Sequence, residues 1–258
     1  MKPFFQAGGV ERYHQTAASQ EVLDDIIQTF DLHEIIEEDI NEPSTQDKID
    51  VYDQCLFVVL HFPKYNVDRR KYLVNELNII LTKTQIITLS KYQSNHIEQI
   101  KEDFEEHIEL IEKEQRYKLS SYYILYKIVD VMYDKVIRGS RLFARDLSKI
   151  EDLIFERESL DRALLEEIMI KRRNVVALKH TLRPQTEILA ELQEETLKFF
   201  GGEFDVYFED LQYKLDKIIS NLNIIKEDVE SIYDTYNAIV NMKINSIITV
   251  LTVFTAVI

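Results

Sequence analysis

Residues 204–239 read FDVYFEDLQYKLDKIISNLNIIKEDVESIYDTYNAI, and this stretch decides the fold. Its apolar residues fall at Phe204, Phe208, Leu211, Leu215, Ile218, Leu222, Ile225, Val229, Ile232, Tyr236 and Ile239. The steps alternate four and three, an a/d seam held for about five heptads. Such a seam predicts one long helix that associates with other helices. Gly201-Gly202 punctuates the chain just before it,. Residues 240–258 continue as VNMKINSIITVLTVFTAVI with no turn signal. From Ile247 to Ile258 there is no charge, and the polar members are Thr249, Thr252 and Thr255. A single helix from Phe204 onward would be about 80 Å long. The uncharged run by itself rises only about 18 Å as helix, too short to cross a bilayer. It reads either as a buried helix end or as a stalk entering a membrane. The unbroken seam leading into it favours the stalk.

Two further helical stretches precede the seam. Tyr122, Tyr126, Val129, Tyr133, Val136, Phe143, Leu147, Ile150 and Ile154 keep the same rhythm, with Ser140 filling one turn. From about Leu160 to Phe199, Leu164, Ile168, Val175, Leu178, Leu182, Leu189 and Leu192 form a looser stripe. Pro184 lies inside it and is expected to kink or break the helix,. The N-terminal part has a different period. Glu21–Phe30 and His33–Ile40 read as short helices. Ile49–Tyr52, Cys55–Phe62, Leu73–Leu81 and Ile86–Leu89 read as strands of a mixed sheet, with Lys64–Lys71 and Thr82–Thr84 as turns,. Asn95–Glu114 returns to helix. The expected class is α+β: an N-terminal α/β domain with a mixed sheet, then long helices forming a coiled-coil-like stalk. The expected division is residues 1–116 for the α/β domain, 117–200 for a long antiparallel helical pair, and 201–258 for the stalk helix.

Composition narrows the function. Lys plus Arg is 31 and Asp plus Glu is 46 in 258 residues, a net charge of −15. That balance argues against nucleic acid as a partner. Apolar residues make up 45%, enough for a real core, and 5 Gly with 4 Pro suit long helices,. Cys55 is the one cysteine, which excludes an intrachain disulfide and a cysteine-based zinc site,. The opening Met1-Lys2-Pro3-Phe4-Phe5 has no apolar run of signal-peptide length,. His14, His33, His61, His96, His107 and His180 are scattered, and no P-loop, Gly-x-Ser-x-Gly or His-Glu-x-x-His motif occurs,. No catalytic constellation is present, so an enzyme is not expected.

Six segments, in order, resemble the CorA-type magnesium transporter family. Phe30–Ile40 (FDLHEIIEEDI) is similar to its F-D-x-H-P-L-x-x-E-D-I segment, with Glu34 where the family has proline. Lys48–Phe62 and Asn75–Leu89 resemble its strand pair and next hairpin. Tyr123–Asp130 (YILYKIVD) resembles its helix opening, and Arg172–Leu189 (RRNVVALKHTLRPQTEIL) its R-R-x-L-x-x-L-R-x-x-L-x-P-x-R-E-V-L segment. Asn245–Thr252 (NSIITVLT) resembles the start of the family's first transmembrane helix. The family's Gly-Met-Asn signature and second membrane helix are expected beyond Ile258.

The resemblance implies a divalent cation channel importing Mg2+, or Co2+ or Ni2+, and a cytoplasmic domain that senses intracellular Mg2+. It implies a homopentamer in the inner membrane, with this portion on the cytoplasmic side and the C-terminal segment in lipid. Asn245 aligns with a pore-facing position, and Ile248, Leu251, Thr252 and Thr255 follow on that face at helical spacing,. Oxygen ligands suit Mg2+, a hard ion that sheds water reluctantly. Rings of Ile248 and Leu251 would gate by dewetting. The plain alternative for these positions is helix packing. Asp210 aligns with the stalk carboxylate of the family's regulatory inter-subunit metal site; Asn66 stands where its acidic partner belongs, with Asp68 two residues on. Cations bound there would neutralise facing carboxylates, and their loss would let those carboxylates repel. The plain alternative for Asp210 is a solvated flank of the seam. Two other functions fit the same residues: a ZntB-like zinc transporter of like architecture, and a soluble coiled-coil scaffold.

Overall fold

The computed structural model describes residues 5–7, 9–42, 44–91, 120–156, 161–201 and 205–257. Among them the first half holds β1 (Phe5–Ala7), β2 (Val10–Thr16), α1 (Gln20–Thr29), α2 (Glu34–Asn41), β3 (Lys48–Val51), β4 (Leu56–Asn66), β5 (Lys71–Leu81) and β6 (Gln85–Ser90). The second half is helical: α3 (Ser121–Glu156), α4 (Arg162–Leu182), α5 (Gln185–Phe200) and α6 (Asp205–Val257). The helix expected at Asn95–Glu114, the seam position Phe204, and the boundary near residue 117 lie outside the described residues.

Among the described residues the sheet has six strands, in the order β1-β2-β6-β5-β4-β3. β2 pairs parallel with β6, and every other pair is antiparallel. Both faces of the sheet are covered, which explains why β4 reads as an unbroken apolar run. Leu56, Val58, Leu60 and Phe62 join the core shared with the long helices. Phe57 and Val59, one register position off, join the core under α1 and α2 with Leu23, Ile26 and Ile36,.

Two expectations need correcting. Lys64–Lys71 is not all turn: β4 runs to Asn66 and β5 starts at Lys71, leaving residues 67–70 as the turn. Cross-strand pairing of Lys64 with Leu73, and of Tyr65 with Tyr72 at 5.1 Å between rings, carries the hairpin past its apolar part,. Strand β2 was not expected at all. Its sequence VERYHQT is mostly polar, yet it pairs with β6 from Glu11–Gln85 to Thr16–Ser90 and buries Arg12.

The long helices form a bundle through α6. Phe208, Leu211, Leu215, Ile218, Leu222, Ile225, Val229, Ile232 and Tyr236 are all buried, so the seam is spent within one chain. Each such side chain is worth about 1.5–3 kcal/mol relative to exposure. α6 runs alongside α3 in the same direction, since Tyr126 meets Asp210 and Asp134 meets Lys214. It runs against α4, where Tyr236 meets Asp161 and the Arg172 guanidinium lies over Tyr233. Pro184 breaks the looser stripe outright: α4 ends at Leu182 and α5 begins at Gln185. Asp161 caps α4 by accepting from the Leu164 N–H at 2.9 Å,. Gly201, at φ 64°, ends α5 in the left-handed conformation that glycine adopts without strain,.

Candidate functional site

The residues singled out by sequence lie in three places: the far end of α6, the region around its first turns, and the tip of the β4–β5 hairpin.

The far end leaves the bundle. Burial stops after Tyr236, and Met242 is 62% exposed. From Ile244 through Val257 every residue of α6 is exposed, including Ile247, Ile248, Val250, Leu251, Val253 and Phe254. An 18-residue window of this helix reaches a mean hydropathy of 1.5 with none of it buried. An exposed apolar face this large marks a surface for membrane or protein contact. Asn245, Ile248, Leu251, Thr252 and Thr255 are all exposed here, on one continuous helix. The threonine hydroxyls are satisfied internally: Thr249 donates to the Asn245 carbonyl at 2.9 Å, Thr252 to Ile248 at 2.8 Å, and Thr255 to Leu251 at 3.1 Å. Donation to the helix leaves each hydroxyl oxygen with lone pairs to accept from a hydrated ion. It also removes the cost of an unpaired donor in lipid.

The first turns of α6 hold a charged and aromatic cluster. The Tyr126 hydroxyl donates to Asp210 Oδ2 at 3.0 Å. Burial, then the charges of Asp130 and Asp210, push the Tyr126 hydroxyl far above its ordinary titration range, so it stays a donor. One turn on, the Lys214 ammonium bonds Asp130 and also Asp134 at 3.1 Å. Burial opposes its charge, but those two hydrogen bonds outweigh burial and raise its pKa. Tyr207 packs edge-on against Tyr123 and at a tilt against Tyr126, at 5.4 and 4.9 Å between ring centroids. The sequence offers Tyr126 only as a position of the helical stripe and does not point to Lys214; each meets its partner across 80 or more residues, and no local pattern signals that.

Asn66 and Asp68 lie elsewhere, at the tip of the β4–β5 hairpin. The Asn66 side chain caps the turn, its Oδ1 accepting from the Arg69 N–H at 2.8 Å. Asp68 is exposed and lines a surface hollow with Arg69, Arg70, Glu166 and Arg173. Thus the Asp210 carboxylate and the Asn66–Asp68 turn belong to separate contact networks within one chain. Among the described residues no group of three or more His, Cys, Asp or Glu side chains is placed to hold a metal.

The family profile described as CorA-like Mg2+ transporter protein matches residues 11–258. The chain belongs to the CorA family. CorA-family proteins are transporters or channels rather than enzymes. The chain is 21% identical over 237 residues to the cobalt/magnesium transport protein CorA of Thermotoga maritima. That match covers 92% of this chain and 66% of the relative, a little under two thirds of its length. The complete structure of the CorA magnesium transporter from Methanocaldococcus jannaschii superposes with a TM-score of 0.80 at 18% identity, over 96% of this chain and 75% of that one. The ZntB cytoplasmic domain from Vibrio parahaemolyticus gives 0.71 at 12% identity, over 94% and 90%. At these identities the two structural likenesses establish the CorA fold, a mixed sheet followed by long helices, and no more.

Proposed function

We propose that the protein conducts divalent cations, Mg2+ first among them, through a pore built from copies of α6. One observation carries this reading: a single helix is the buried centre of the bundle up to Tyr236 and an exposed apolar rod from Ile244 onward. A soluble scaffold would leave that rod in water, which opposes the scaffold reading. In the proposed arrangement residues 1–116 form the sensing domain, 117–200 the helical support, and 201–258 the stalk and the start of the membrane segment. The sensing domain lies on the cytoplasmic side. Five copies related by rotation would bring Asn245, Ile248, Leu251, Thr252 and Thr255 to the axis as rings. Asn245 and the threonine oxygens would meet the hydrated ion, while Ile248 and Leu251 would close the path by excluding water.

The same reading gives Asp210 a regulatory role. The hairpin turn of one copy, with Asp68 and Asn66, would face the Asp210 region of the next, and Mg2+ between them would hold the interface closed. The separation of the two networks within one chain suits a site completed by a neighbour.

Reconstitution of the gene product into liposomes holding a Mg2+-sensitive dye tests the transport reading. A dye response that rises with external Mg2+ and with an inside-negative potential is expected. No response to Mg2+, beside a response of a zinc dye to Zn2+, would overturn Mg2+ as the cargo in favour of the zinc reading.

A further inference from the structure

A cavity of about 670 Å3 opens between the β4–β5 hairpin, α3 and α4, away from α6. Small-molecule sites run to about 300–1,000 Å3 and combine apolar walls with a few polar groups. This cavity has that make-up. Val136, Phe143, Ile150 and Leu178 are buried apolar walls, and Tyr65 and Tyr72 add aromatic surface from the hairpin.

Its charge is opposite to that of the chain. The lining holds four cations, Arg70, Lys135, Lys149 and Lys171, against two carboxylates, Asp146 and Glu167. Glu167 is taken by Arg70, and Asp146 is shared by Lys149 at 3.0 Å and Lys171 at 3.2 Å. That leaves Lys135 with no hydrogen bond or ion pair among the described residues. It is half-buried, and its pKa is lowered by burial and then by Lys64 and Arg138 nearby. An unmatched ammonium in such a place favours an anion. Between residues 135 and 149, α3 adds Arg138, Arg141 and Arg145 to these lysines, in a protein of net charge −15.

Two details mark the cavity as room for a ligand. Asn174, 3% exposed, donates its amide to the Arg70 carbonyl at 3.1 Å, while its own oxygen has no donor. Buried amide oxygens are normally satisfied, so a donor is missing. Gly139 lies inside helix α3, where glycine is destabilising relative to alanine,. A Cβ built there meets nothing within 4 Å, so no neighbouring atom requires glycine, and Gly139 is part of the cavity lining.

We propose that this cavity binds a planar organic anion, its ring against Tyr65, Tyr72 and Phe143 and its negative group on Lys135. A ring substituent donating a hydrogen bond would satisfy Asn174. Nucleotides and aromatic carboxylates share this chemistry. Calorimetric titration of the full chain in lipid nanodiscs with adenosine monophosphate and with 1-naphthoate tests it. Saturable binding of at least one, at one per chain, is expected; the arm that binds identifies the source. Lys135→Gln should weaken that binding about tenfold. Gly139→Leu should abolish it while the thermal midpoint is held or raised. Saturation by neither compound overturns the proposal, as does an affinity left unchanged by both substitutions.

Discussion

The Tyr236 hydroxyl donates to the Asp161 carbonyl oxygen at 3.1 Å, and this bond joins the last buried turn of α6 to the cap of α4. Tyr236 is 7% exposed, and beyond it the helix leaves the bundle. The bond therefore sits where α6 passes from the bundle to the apolar rod. Tyr236→Phe keeps the ring and leaves the carbonyl without this donor. The expected loss is about 1 kcal/mol in denaturant unfolding. Leu222→Ala, wholly inside the seam, should cost about 2–5 kcal/mol by the cavity it opens. Equal midpoints for Tyr236→Phe and wild type would show that the bond contributes nothing.

His61 makes stability depend on pH. Its Nδ1 meets Asp47 Oδ1 at 3.1 Å, its Nε2 meets the Ser44 carbonyl at 3.0 Å, and Glu76 lies 3.6 Å from Nε2. Burial opposes the imidazolium, but the hydrogen bonds to Asp47 and Glu76 outweigh it and raise the pKa from 6.5 to about 9. The folded pKa lies above the unfolded one, so the contribution is full below pH 6.5 and is lost as pH rises towards 9,. Unfolding free energy should fall across that window. Asp47→Asn should flatten the fall; an equally steep slope in that variant would detach it from His61.

The bond from Tyr126 to Asp210 competes with any cation at Asp210, because it occupies Oδ2. Millimolar Mg2+ should slow limited proteolysis of the wild-type protein. Asp210→Ala should weaken that protection, and Tyr126→Phe should shift it to lower Mg2+ concentration by freeing a lone pair. Protease patterns that ignore Mg2+ in all three proteins would remove Asp210 from a regulatory site.

The long helices were legible because their signal is local. The seam from Phe208 to Tyr236 repeats every three or four residues, and burial follows it residue by residue. Pro184 marked the α4–α5 break for the same reason, its ring and missing N–H acting on the turn it occupies. Strand β2 was not legible, because its stability comes from pairing with β6 some 74 residues away, around a buried Arg12 that no alternation rule expects. The resemblance, with helical spacing, put Asn245, Ile248, Leu251, Thr252 and Thr255 together on α6, and all five are exposed on that helix. The surroundings of Asp210 could not be read that way, since Tyr126 is 84 residues distant in the chain. The Asn66 side chain, which the resemblance puts where an acidic partner belongs, caps its own turn by accepting from the Arg69 N–H three residues on.

The exposed end of α6 gives the most direct test of membrane entry. Val253 is 59% exposed and lies within the uncharged run, on the side of the helix turned away from Ile248 and Thr255,. If that surface meets lipid, Val253→Arg places a guanidinium near the hydrocarbon, at a cost of about 2.5–3.5 kcal/mol. That corresponds to a fall in membrane partitioning of roughly 70- to 400-fold. The bundle should be untouched, because Val253 lies seventeen residues beyond Tyr236 and has no part in the core. Flotation of the two proteins with liposomes separates the readings. Co-flotation of the wild type and its loss in Val253→Arg, at equal thermal midpoints, are expected. A wild-type protein that stays at the bottom of the gradient would mean that the rod packs against protein instead.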